Sequence, residues 1–516
     1  MDELKPAPAE TDETALRKGR LGVAGIVFFV VAAAAPLVGM TGAVPVAIVL
    51  GNGAAVPGAY VAVGITLLLF SVGYAAMSHK VTNTGAFFAY VGRGMGIGPG
   101  VGSAFVSLVA YLAVQLAIFG FFGAVASGEF NDQFSIDWPW YVWSLIAWAL
   151  VTALSLFSVD VGAKVLGVFM TLEVLSLLIM SLAVIFTGGG PDGFDLGASF
   201  APNNILVGGL GGTAGIALAF AFASYIGFEA TAIYGEESRD PKKSVPRATY
   251  IAVILITVLF GLSTFAIVTY LGSSTVIDRV VELSTVDGTP LTNPAAVVFT
   301  VAEESVGDWL GSWAGTLVST TMEWLVLSSL FAGLLAFQNS AARYFYSLGR
   351  AGVLPSALDR VNKLGSPQVA TLTTSVISFL VIVTFWITDK DPVLNLFYWF
   401  SGLAVLAIVL VEILVSISVI VYFRRTKEDA RIWHTVIAPV LATLGLLVGM
   451  YLLMSRFGLL AGTVAEGVDP STQAWGLNTL GWTLVLLPFA VFALGWVVGL
   501  VRRSDENVDA VKDLVS

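Results

Sequence analysis

Twelve stretches of nearly unbroken apolar residues organise this chain. They lie near 21–50, 57–78, 98–127, 139–159, 162–187, 211–236, 247–272, 314–340, 369–388, 394–423, 433–456 and 476–501. Crossing a bilayer as a helix takes about 20 apolar residues, so each run predicts one spanning helix. Strands of a membrane barrel would alternate apolar and polar positions over about 10 residues; the runs show no such alternation. The pattern predicts an all-α integral membrane protein with twelve transmembrane helices and polar tails at 1–20 and 504–516. The first run precedes no Ala-x-Ala cleavage pattern, so it is expected to remain as a helix rather than leave as a signal peptide.

Two runs are interrupted in a way a plain spanning helix would not be. The first contains Ala35-Pro-Leu-Val-Gly-Met-Thr-Gly42, where Pro36 removes a backbone donor and Gly39 and Gly42 relax the dihedral limits. The sixth contains Ser224-Tyr-Ile-Gly-Phe-Glu229. Irregular backbone survives at membrane depth only where it is buried in protein or lines a cavity. If helices 1–5 and 6–10 repeat one another in inverted orientation, both breaks fall in the first helix of a repeat. That placement marks a midplane substrate site in secondary transporters. Half-helix amides favour an anionic group and half-helix carbonyls a cationic one, which together suit a zwitterionic amino acid.

Composition narrows the class. Of 516 residues, 57% are hydrophobic and 12% charged, against about 25% charged in soluble domains. There is no Cys, which excludes a disulfide framework and thiolate chemistry, and His79 and His434 lack metal-ligand spacing. The Gly-rich stretches 92–102 and 208–215 follow no strand and predict close helix packing. No Walker motif occurs, and nothing supports nucleic-acid binding. With a cytoplasmic N-terminus, all but Arg279, Lys390 and Arg456 of the 25 Lys and Arg residues fall on the cytoplasmic face. The positive-inside rule therefore predicts both termini in the cytoplasm.

Three longer segments resemble the amino acid–polyamine–organocation transporter superfamily. They are Tyr74-Ala-Ala-Met-Ser-His-Lys-Val-Thr-Asn-Thr-Gly-Ala-Phe-Phe-Ala-Tyr-Val-Gly-Arg-Gly94, the sixth run through Asp240-Pro-Lys-Lys-Ser-Val-Pro246, and Arg343-Tyr-Phe-Tyr-Ser-Leu-Gly-Arg-Ala-Gly-Val-Leu-Pro355. The resemblance implies a LeuT-like fold: a first five-helix repeat over 21–188, an inverted second over 211–423, and two peripheral helices within 433–503. It implies that carbonyls around Ser224, Tyr225, Ile226 and Gly227 meet the substrate's amino group. Amides around Gly39, Met40, Thr41 and Gly42 would meet its carboxylate. Side-chain contacts are implied for Tyr111, Gln115, Tyr225, Phe337 and Ser401. Two positions depart from the pattern. Leu177 stands where several proton-coupled members carry Lys, and Ala223 stands where arginine exchangers carry an aromatic gate.

Three carboxylates, Glu173, Glu229 and Glu412, interrupt the middle of predicted spans, and no Lys or Arg does. Intramembrane carboxylates mark ion pathways and proton relays. Glu229, beside the sixth-run break, is the first candidate for proton coupling; the alternative is a neutral group donating one hydrogen bond to a neighbouring helix. Glu173 and Glu412 are further candidates, as relays or packing groups. No cofactor or metal is expected beyond the coupling proton. Sodium stays open, with Ser328 and Ser329 as candidate oxygens. The reading is a proton-coupled amino-acid permease of the plasma (inner) membrane, working by alternating access on a small amino acid or amine. A polyamine carrier or an exchanger is the alternative, and a channel or substrate receptor the reading from a different class.

Overall fold

The computed structural model describes residues 22–80, 86–157, 160–229, 231, 238 and 240–502. The predicted tails at 1–20 and 504–516 and most of 230–239 lie outside them. Among the described residues no strand forms, only isolated bridges, and each of the twelve apolar runs contains a helix.

The helices that matter below are α1 (Val23–Ala34), α2 (Pro36–Val38), α3 (Val56–Ser78), α4 (Ala86–Met95), α5 (Ile97–Phe134), α6 (Trp140–Leu156) and α7 (Asp160–Phe186). They continue with α8 (Ala214–Tyr225), α9 (Pro241–Leu271), α10 (Ser312–Arg350), α11 (Gln368–Ile387), α12 (Tyr398–Thr426), α13 (Ala438–Ser455) and α14 (Thr479–Arg502). By length and apolarity, nine described helices cross a bilayer, or ten if the bent pair Pro202–Gly211 and Ala214–Tyr225 is one span. The lower count has identifiable causes. The first two runs merge into one helical stretch, Pro36–Ser78, and the fourth is the 17-residue Trp140–Leu156.

The first break is made by Pro36. A proline disfavours the right-handed helical region for the residue before it, and Ala35 sits in the left-handed region at φ 42°, ψ 68°. Past α2 the chain winds through π turns at Gly39–Ala43 and Ile48–Asn52. The second break follows α8: Ile226 turns extended at φ −56°, ψ 129°, and Gly227 takes φ 114°. A Cβ on Gly227 would stand 2.7 Å from that of Ala33, and one on Gly39 3.1 Å from Ser224 Oγ. The two interruptions therefore touch, and only small residues at 33, 39 and 227 permit it.

Around this pair, α5 and α10 are long pillars of 38 and 39 residues. The Gly-rich start of α5 does pack closely: a Cβ on Gly495 would meet Gly102 Cα at 2.9 Å, and one on Gly499 would meet Gly98 Cα at 3.1 Å. This is the small-residue contact that brings membrane helices together. Outward-facing Phe186, Leu317, Leu380, Leu494 and Val497 are exposed, as a lipid-facing belt requires.

Candidate substrate site

A cavity of about 70 Å³ lies where the two breaks meet. Ala33, Ala34 and Ala35 of the first break, Gly39 beyond it, and Ala223, Ser224 and Ile226 of the second form one side. Val114, Ala117 and Ile118 of α5, Phe337 of α10, and Phe397 and Ser401 at the start of α12 form the other. Aromatic layers bracket it. Phe397 stacks on Phe121 with centroids 4.8 Å apart, while Phe337 lies 6.1 Å from Tyr111. Along α5 these layers are separated by roughly 15 Å, the rise of the ten residues between Tyr111 and Phe121.

Buried carboxylates take up the amides that the breaks leave free. Glu229 folds back so that Gly227 N–H donates to Oε2 at 2.9 Å, while the Tyr111 hydroxyl donates to Oε1 at 3.0 Å. Tyr74 donates to the Glu229 carbonyl at 2.7 Å. Glu173 reaches from α7 to the other interruption, where Leu37 N–H donates to its Oε1 at 2.5 Å. Glu412 is fully buried on α12 within electrostatic reach of Glu229, and its Oε2 has no hydrogen-bond partner among the described residues.

Of the residues singled out from sequence, Gly39, Ser224, Ile226, Phe337 and Ser401 line the cavity. The others are placed elsewhere, for physical reasons. Gln115 donates to Gln338 Oε1 at 2.5 Å, and Gln338 continues to the Thr371 carbonyl and Ser375 Oγ, so Gln115 ties α5 to α10 and α11. Tyr225 points toward α3 and α9, donating to the Tyr60 carbonyl and lying 3.1 Å from Thr257 Oγ1. Tyr111 is committed to Glu229. Thr41 donates back to the Leu37 carbonyl, Met40 is fully buried, and a Cβ on Gly42 would press on Phe121. Gly227 supplies its amide to Glu229 rather than a cavity wall. Ala223 lines the cavity with no more than a methyl group, and Leu177 is buried one turn from Glu173.

The apolar wall residues gave no sequence signal, because Ala117 or Ile118 looks like any residue of an apolar helix. Tyr60 did carry one: a Tyr in mid-span needs a polar partner, and its hydroxyl meets Ser224 Oγ at 3.0 Å. Ser224 in turn donates to the Phe220 carbonyl, so Tyr60 is the donor of that pair.

The sequence is similar to those of known proteins. The family model described as "Amino acid permease" matches residues 25–502. The histidine permease HisP of Lactococcus lactis is 24% identical over 339 residues, 63% of this chain and 65% of that protein. The lysine-specific permease LysP of the same organism is 26% identical over 267 residues, 48% of this chain and 47% of the relative. The aromatic amino acid transport protein AroP of Escherichia coli K12 is 21% identical over 366 residues, 70% and 72% of the two chains. The chain thus spans from about half to just under two thirds of the two lactococcal permeases. With the family model covering nearly all of it, this chain belongs to the amino acid permease family.

Proposed function

We propose that this permease carries an amino acid across the plasma membrane by alternating access, coupled to protons through Glu229. The carrying observation is the contact of two helix interruptions around one cavity, with Gly227 against Ala33 and Gly39 against Ser224. The relatives are named for histidine, lysine and aromatic substrates, and the amino acid is what those names share. The cavity wall bears no carboxylate, which favours an amino acid over a polyamine.

Coupling follows from hydrogen-bond arithmetic. As a carboxylate, Glu229 accepts from Gly227 on one oxygen and from Tyr111 on the other. A proton on Glu229 removes the charge that strengthens both bonds. On Oε1 it is accommodated if the Tyr111 hydroxyl reverses to accept, while on Oε2 it competes with the Gly227 N–H, which can only donate. Protonation therefore weakens the hold of Glu229 on the Gly227 amide and is linked to the shape of the second break. Glu173, on the Leu37 amide, provides the same linkage at the first break. A cytoplasmic location of both termini follows from the distribution of basic residues.

The test is uptake into proteoliposomes under an imposed proton gradient. Glu229→Gln should retain substrate counterflow but lose acceleration by the gradient; unchanged gradient dependence would defeat the coupling role. Replacing sodium with choline should leave wild-type uptake unaltered.

A further inference from the structure

The wall chemistry and size of the cavity say more than the family does. Its side chains are aliphatic or aromatic apart from the hydroxyls of Ser224 and Ser401. Ser224 is already engaged by Tyr60 and the Phe220 carbonyl. Of the three buried carboxylates, Glu229 and Glu173 are turned to backbone amides at Gly227 and Leu37, and Glu412 is not among the residues lining the cavity. Gln115, the nearest amide side chain on α5, faces Gln338. An ammonium, guanidinium or imidazole entering here would lose its water without gaining a partner, which is strongly unfavourable. At 70 Å³ the cavity has about half the volume of one that accommodates a benzene ring, roughly 150 Å³. A histidine, lysine or phenylalanine side chain would have to force the walls apart, whereas alanine, serine or threonine demands least enlargement.

We propose that this permease selects amino acids with small neutral side chains, and that Ile118 of α5 sets the upper size limit. The inference rests on the transporter reading above and specifies its substrate class. Ile118 lines the cavity between the Tyr111 and Phe121 layers. Its Cδ1 lies 3.3 Å from where a Cβ of Gly333 would stand, so its branch fills the gap between α5 and α10. Shortening it enlarges the cavity without touching any of the hydrogen bonds described above. Ala223, on the opposite wall, offers the converse change: a larger side chain there takes up the free space.

The experiment combines binding to purified protein, read by thermal shift, with competition for radiolabelled alanine uptake in proteoliposomes. In wild type, alanine, serine and threonine should bind and compete at least tenfold better than histidine, lysine or phenylalanine. Ile118→Ala should keep the wild-type elution profile and should bring leucine within about threefold of alanine in both binding and competition. Ala223→Leu should lose alanine binding while keeping the wild-type elution profile. Equal competition by phenylalanine or histidine in wild type, or an unchanged size limit in Ile118→Ala, would overturn the inference while transport stands. Absence of both binding and uptake for every amino acid would overturn the transporter reading and this inference with it.

Discussion

Gly227 shows how much of the site rests on single residues. Its φ of 114° is open to glycine and strained for anything else, and an added Cβ would also stand 2.7 Å from that of Ala33. Gly227→Ala should therefore destabilise the protein by about 1–3 kcal/mol or more and lower the Tm in detergent. Gly39→Ala meets a lesser obstacle at 3.1 Å, and should shift the melting point less. Charges at the far end of the bundle behave differently. Arg431 holds the Asp429 carboxyl down to about 2, chiefly through their direct hydrogen bond. The stabilisation from that depressed carboxyl is present above its ordinary value and is lost only as pH falls toward 2. Asp429→Asn should consequently leave the uptake pH profile unchanged between about 5 and 8, whereas Glu229→Gln flattens it.

At the scale of elements, α8 hangs from a bend of 114° against the preceding Pro202–Gly211 segment, and Arg456 holds that bend. Buried at the end of α13, its guanidinium donates to the carbonyls of Gly211, Gly212 and Pro470. Removing it strands carbonyls in a poorly hydrated site, so Arg456→Gln should cost about 2 kcal/mol or more. Lysine should not restore the loss, because a point charge cannot span a fork of acceptors; comparing the Tm of both variants checks this. The apolar helices and both interruptions were legible in the sequence, though not the number of spans, because apolar run length, Pro36 and the Gly-Phe-Glu following Ile226 carry them locally. The directions taken by Gln115 and Tyr225 were not. Their partners Gln338 and Tyr60 lie 223 and 165 residues away, and either face of a buried helix could have held them. Nor was the role of α13 legible: a helix read as peripheral buries Gly449 against Phe222 of α8 and carries Arg456 to the bend.

For the molecule as a whole, the asymmetry of Lys and Arg gives a direct test of orientation. Since the chain has no Cys, a single introduced thiol reports without background. Ser471 and Ser356 are both exposed, and the charge distribution puts them on opposite faces. Ser471→Cys should react with an impermeant maleimide on intact cells, and Ser356→Cys only after permeabilisation; the reverse labelling would invert the topology. The carboxylates at the breaks bear on the whole cycle. Because Glu229 and Glu173 accept from the Gly227 and Leu37 amides, those two donors are satisfied without cargo. In the proposed cycle the empty carrier is therefore expected to return by itself. Preloaded vesicles diluted into substrate-free buffer should thus drain at a rate comparable to that with amino acid outside, as a net pump does and an obligate antiporter does not.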